Sequence, residues 1–215
     1  MNNNSLFEYD RALRERYGVY LCGVDEAGRG PLAGPVVVAA VILPNDFTVD
    51  ELNDSKKMTE KQRDKVFELI QEYALSYSIV SVDSSIIDEI NILKATLYGM
   101  SKAVEDLSIK PTFTIIDGND VPLDLSNAKA IVKGDTFSAS ISAASVLAKV
   151  TRDRFMREIS NEYKEYNFAK HKGYATKEHY ESIKEYGLTP MHRRSFFTKS
   201  NRYFNIDQLY NVEKK

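Results

Sequence analysis

The sequence predicts an α/β fold, a five-stranded mixed sheet flanked by helices, from three observations. Two apolar runs near the start, Val19 to Val24 and Pro35 to Leu43, are joined by a short glycine-rich turn. That is the pattern of an antiparallel hairpin. From residue 59 onward, stretches with helical spacing alternate with short β-branched runs, an order that puts helices on the faces of a sheet. Acids then recur where strands are expected to end, at Asp25, Glu26, Asp117 and Asp135.

In chain order, residues 5–17 read as a short polar helix before the hairpin, and residues 53–57 as a polar loop. Thr59 then caps a helix reaching about Tyr73, with Val66, Phe67, Ile70 and Ala74 at helical spacing. A third strand runs from Tyr77 to Val82, a longer helix from about Ile92 to Leu107, and a fourth strand from Thr112 to Ile116. Ala130 to Val132 is a fifth, short strand, followed by a small-residue helix from near Ser138. Beyond Arg157 the chain reads as helical and aromatic, with the Phe168–Tyr174 and Pro190–Phe197 segments as connectors.

Composition narrows the function. At 43% hydrophobic and 28% charged the chain reads as an ordinary soluble protein, which excludes a disordered one. The single cysteine, Cys22, excludes a disulfide framework and a cysteine zinc site. His171, His179 and His192 have neither zinc-finger nor HExxH spacing. Any metal is therefore expected to be hard and oxygen-bound. No apolar run is long enough to span a membrane and no signal pattern opens the chain, so a cytosolic protein is expected. The net charge of −2 hides an asymmetry: residues 1–148 carry −8 and residues 149–215 carry +6. A basic C-terminal third suits a polyanionic partner.

The chemistry concentrates in Gly23-Val-Asp-Glu-Ala-Gly-Arg-Gly-Pro-Leu-Ala-Gly34. Adjacent acids at the end of an apolar strand repel unless a cation or a proton sits between them. Asp117, in Ile116-Asp-Gly-Asn119, and Asp135, in Lys133-Gly-Asp135, are also at strand ends. Each taken singly also suits a turn or an N-cap. Strands one and four of such a sheet are often neighbours, which would bring Asp25 beside Asp117. Converging carboxylates suit two divalent ions roughly 3.5–4 Å apart, clamping an in-line phosphoryl displacement. Gly28-Arg29-Gly30 can bring backbone groups close to a ligand. A dinucleotide fingerprint is rejected, because the glycine spacing is wrong and Pro35 leads into a strand, not a helix.

These segments together resemble bacterial ribonuclease HII, the type 2 ribonuclease H family, over roughly residues 20 to 198. The likeness also runs through Asp54-Ser-Lys-Lys57, Asn91-Ile-Leu-Lys-Ala-Thr96, Ser142 to Arg154, Lys170-His-Lys-Gly-Tyr-Ala-Thr176 and His192-Arg-Arg-Ser-Phe196. It implies a single RNase H-like domain over 1–215, with a core of about 19–160 and a small helical C-terminal extension of about 161–215. It implies cleavage of the RNA strand of RNA–DNA hybrids, and cleavage on the 5′ side of ribonucleotides embedded in duplex DNA. It implies that Asp25, Glu26, Asp117 and Asp135 are the catalytic and metal-binding carboxylates for two Mg2+ or Mn2+ ions. It further implies that Gly28, Arg29 and Gly30 read the 2′-hydroxyl and adjoining phosphates, and that Tyr174 stacks on the following sugar. Lys149, Lys172, Arg152, Arg154 and Lys170 are expected phosphate contacts. The serines and alanines from Ser138 to Ser145 are expected to permit close helix-to-sheet packing, and His171 and His192 to be structural or phosphate-facing.

Two other readings compete. The type 3 ribonuclease H family shares the fold and usually carries an extra N-terminal domain, whereas about 18 residues precede the first strand here. A catalytically silent hybrid-binding module would not need all four carboxylates. A monomer is expected, and Gln208-Leu-Tyr-Asn-Val212 loosely resembles peptides that dock on replication sliding clamps.

Overall fold

The computed structural model describes residues 4–49, 52 and 58–197; the 53–57 loop and the 208–212 segment lie outside them. Helix α1 (Asn4–Tyr17) precedes strands β1 (Leu21–Ala27) and β2 (Val36–Ile42), then α2 (Glu60–Tyr73) and β3 (Ser76–Val82). Helices α3 (Ser84–Ile90) and α4 (Ile92–Glu105) lead to β4 (Phe113–Asp117) and β5 (Ala128–Ile131). A 3₁₀ turn, Gly134–Thr136, opens into α5 (Ala139–Ile159), and α6 (Phe168–His171) and α7 (Lys177–Tyr186) follow. The sheet runs β3-β2-β1-β4-β5. β1 pairs antiparallel with β2 and parallel with β4, and β4 pairs parallel with β5. The five-stranded mixed sheet is thus as expected, with strands one and four side by side.

The described residues fall into two compact units, one drawn from within Met1–Ala27, Val37–Ser81 and Thr96–Val150, the other from within Gly28–Val36, Val82–Ala95 and Thr151–Lys215. In the first, the unbroken apolar run of β2 is explained by burial of both faces. Val37, Ala39 and Val41 pack with Val66 and Ile70 of α2 and with Ala143 and Leu147 of α5. Val38, Ala40 and Ile42 pack with Cys22, Val24 and with Met100 and Ala103 of α4. Small residues let α5 lie against β1: a Cβ on Gly23 would stand 2.2 Å from the Ser140 carbonyl carbon. The second unit buries Leu32, Met156, Phe168, Ile183 and Phe197 together, with Tyr166 stacked on Phe168 at 5.3 Å.

Thr59 forms the expected capping box, accepting from the Gln62 N–H at 3.3 Å while Gln62 Oε1 accepts from the Thr59 N–H at 2.9 Å. Elsewhere the elements depart from expectation. β1 starts later and runs through Asp25 and Glu26, because the β2 ladder continues opposite them at Ala39 and Val38. Helix α3 had no sequence signal, since its seven residues are too few to display a period. Asn91, at φ 69°, ends it, and its side chain accepts from the Lys94 N–H at 3.1 Å to begin α4. The segment expected as a Phe168–Tyr174 loop opens with the single turn of α6.

Candidate active site

Asp25 and Glu26 are consecutive in β1 and so leave it on opposite faces. Asp25 shares the α5 side with Gly23 and is buried, whereas Glu26 and Asp117 are half-buried. The parallel register places Val24 opposite Ile116. Asp117, the last residue of β4, therefore stands one step further on, beside Asp25. The Gly134 N–H donates to Asp117 Oδ1 at 2.6 Å. A Cβ at position 134 would lie 2.5 Å from Ile141 Cδ1, the tip of a side chain that would have to shift to admit it. Asp135, also buried, follows in the same 3₁₀ turn.

Negative charges crowd together here. Burial raises the Asp25 carboxyl well above the usual carboxylate range, and the charges of Glu26 and Asp117 raise it further. The Ser145 hydroxyl and the Glu26 N–H, 2.7 Å from Asp25 Oδ1, pull the other way. Ser145, read from sequence as a packing residue, thus also bonds a site carboxylate; its position two turns into α5 is a signal only once α5 is laid on β1. Among the described residues, no group of three His, Cys, Asp or Glu side chains stands at metal-holding spacing. The fit to a cation lies in the donor set, which is all oxygen, and in a repulsion that a hard divalent ion would reverse.

The glycine loop and Tyr174 meet in the second unit. Gly28 has φ +95°, and a Cβ there would fall 2.1 Å from Arg152 Nε. At Gly30 the nearest atom to an added Cβ is Tyr174 Cε1, at 4.0 Å. Gly28 is therefore required by packing, and Gly30 leaves room for a ligand beside the exposed Tyr174 ring. Buried Arg193 donates to the carbonyls of Gly28 at 2.6 Å, Arg29 at 3.0 Å and Gly34 at 2.9 Å, stapling both ends of the loop. Burial and the neighbouring Arg152 lower its pKa. Arg152 is a correction to the sequence reading: it is 1% exposed and donates to the Pro35, Ala33 and Lys172 carbonyls. A guanidinium spent on carbonyls inside the fold cannot lie on a phosphate. The Lys172 ammonium donates to the Ala169 carbonyl, Lys170 pairs with Glu178 at 2.8 Å, Arg154 is exposed and Lys149 half-buried.

All three histidines are structural. His192 Nδ1 accepts from the Thr189 N–H at 2.9 Å, so its proton sits on Nε2, which donates to His179 Nε2 at 3.0 Å. His179 Nδ1–H then donates to the Tyr174 carbonyl at 2.9 Å. His171 stacks on His179 at 4.5 Å and donates through Nε2 to the Tyr166 carbonyl at 2.6 Å. The Tyr174 loop is thus held from below by a histidine relay.

Known proteins resemble this chain in sequence and in fold. The family model described as Ribonuclease HII matches residues 22–199. A ribonuclease HII of Endomicrobium trichonymphae is 50% identical over 194 residues, covering 90% of this chain and 92% of the relative. One of Syntrophus aciditrophicus is 51% identical over 183 residues, covering 85% and 86%. Among solved structures, ribonuclease H2 from Pyrococcus horikoshii superposes with a TM-score of 0.73 at 27% identity, covering 91% of this chain and 99% of that one. RNase HII of Archaeoglobus fulgidus, solved in complex with PCNA, gives 0.70 at 25% identity, covering 87% and 98%. With its RNase H-like sheet and a family match over most of its length, the chain belongs to the ribonuclease HII family and is a ribonuclease H, a hydrolase.

Proposed function

We propose that the protein is an endoribonuclease that cuts the RNA strand of RNA–DNA hybrids and the 5′ side of ribonucleotides embedded in duplex DNA. It does so by two-metal-ion phosphodiester hydrolysis, leaving 3′-hydroxyl and 5′-phosphate ends. The observation that carries this reading is Asp25, buried beside Glu26 and Asp117 at the end of neighbouring parallel strands, with its ionised form disfavoured by both. Asp25, Glu26, Asp117 and Asp135 would hold the ions. When bound, divalent ions supply an activated water and neutralise charge on the scissile phosphate. The chain's own part is to fix these carboxylates in place, Asp25 through the Ser145 hydroxyl and the Glu26 N–H, and Asp117 through the Gly134 N–H.

Recognition falls to Gly28, Arg29, Gly30 and Tyr174. The 2′-hydroxyl is the group that separates RNA from DNA at a given site. A loop whose carbonyls at Gly28 and Arg29 are already engaged by Arg193 is held in one conformation before the sugar arrives. The exposed Tyr174 ring offers a flat face for the next sugar. Lys149 and Lys172 add positive charge toward phosphates.

A duplex with a single ribonucleotide, incubated with Mg2+, with Mn2+ and with EDTA, tests the reading. A nick 5′ to the ribonucleotide that EDTA abolishes is expected. Tight binding without a nick in either metal would leave a hybrid-binding module instead.

A further inference from the structure

Asp10 is a carboxylate on the N-terminal helix that the proposed chemistry does not use, yet it is fully buried. It accepts from Ser138 Oγ at 2.6 Å, from the Ser140 N–H at 2.8 Å and from Ser140 Oγ at 2.7 Å. Ser138 in turn accepts from the Ile141 N–H at 3.2 Å. Asp10 and Ser138 together therefore satisfy the first amides of α5, where the helix dipole favours negative charge. Arg14, one turn along α1, supplies a nearby positive charge.

Simple capping would not need a buried carboxylate. Serine or threonine caps a helix at far smaller desolvation cost than a charge brought from a different helix. What a buried, three-fold bonded carboxylate adds is a fixed position, because it accepts only and cannot rotate to suit a shifted helix.

Two routes lead from this clamp to the carboxylates. The Ser138 and Phe137 N–H groups donate to the Gly134 carbonyl at 2.8 and 3.0 Å, and the Gly134 N–H donates to Asp117. Asp135 lies within this same turn. Along α5, Ser145 bonds the Asp25 carboxyl, at a height set by where the helix begins.

We infer that Asp10 is a positioning residue for the carboxylate site, acting through the first turn of α5 on Asp117, Asp135 and Asp25. This rests on the reading of those carboxylates as catalytic. The N-terminal helix is then a working part of the site and not an appendage.

The test is Asp10→Asn, whose amide presents donors where Ser138 and Ser140 already donate. Steady-state kinetics on a hybrid at saturating Mg2+ are measured beside backbone amide exchange of the metal-free protein. Expected are a roughly tenfold to hundredfold fall in kcat, KM within about twofold, faster exchange over residues 134–141, and unchanged protection over residues 21–25. Unchanged kcat with faster exchange over 134–141 would reduce Asp10 to a cap and overturn the inference. So would kcat and KM changing together with lost protection in β1. If Asp10→Asn does not fold, Ser138→Ala removes one donor, keeps both Ser140 bonds and is judged by the same criteria. Absence of metal-dependent cleavage in the unsubstituted protein would instead overturn the reading beneath it, so the two failures are distinguishable.

Discussion

Replacing Asp117 by Asn removes one of the two charges that disfavour the ionised Asp25, while an Asn Oδ1 can still accept from the Gly134 N–H. The variant should therefore keep its melting temperature and most of its affinity for a hybrid, but lose turnover by on the order of 10²-fold or more, since a carboxylate that would hold the cation against the scissile phosphate is what is missing. Unchanged kcat would remove Asp117 from the site. Tyr174→Ala is more selective. Its ring is 46% exposed and its backbone carbonyl is held by His179, so losing the ring should leave the loop in place. Cleavage at a single embedded ribonucleotide should fall by on the order of 10²-fold, and cleavage of a continuous hybrid by less, because neighbouring registers compensate only in the hybrid. Equal losses with a lower melting temperature would make Tyr174 a packing residue. Asp25, Glu26 and Asp117 stood out in the sequence as candidates because their patterns are local, paired acids at an apolar strand and Asp before Gly at a strand end, whereas Tyr174 stood out only through the family resemblance. Asp10 and Ser145 did not, because each gains its meaning from a partner more than a hundred positions away in the chain.

Elements explain why glycines two positions apart in one loop do different work. Gly28 is locked at φ +95° against Arg152, whose guanidinium is fixed by three carbonyls and cannot retreat. Gly28→Ala should therefore destabilise by about 2–3 kcal/mol, a fall of roughly 5–10 °C in Tm. Gly30→Ala, with nothing nearer than 4.0 Å, should unfold at nearly the unsubstituted temperature and show its effect in KM for a ribonucleotide-containing duplex. Thermal melts of both variants beside steady-state kinetics separate the two, and equal Tm losses would show that Gly30 too is held by packing. The sequence could announce the glycines but not divide their roles, because Arg152 and Arg193 reach the loop from α5 and from the far C-terminal segment. The same limit hid α3. Long-period elements such as α2 and α5, and the alternation-free β2 buried on both faces, carried enough signal on their own.

At the scale of the whole molecule, all three histidines lie in one buried relay, and this sets the response to acid. Burial depresses His179 to about 4 and His192 to about 3, each further lowered by a neighbouring histidine. In the unfolded chain both would titrate near 6.5, so below that pH the unfolded state takes up protons that the fold refuses. The contribution of these neutral histidines to stability is therefore complete above about pH 6.5, is lost as pH falls from there toward about 4 for His179 and about 3 for His192, and changes little below. Buried Asp10 and Asp25, both raised, act in the opposite sense as pH falls, so the bare profile mixes the two signs. The difference between the unsubstituted protein and His179→Gln removes the carboxylates, which titrate in both. A glutamine can still bond within the relay but binds no proton. Its ΔG of unfolding should be lower at pH 7, and the gap should narrow by up to about 1.4 kcal/mol per pH unit between pH 6 and pH 4.5. Urea titrations at several pH values measure it. A constant gap across that range would mean that His179 is protonated in the folded protein, and that the tautomer chain from Thr189 to the Tyr174 carbonyl is wrongly drawn.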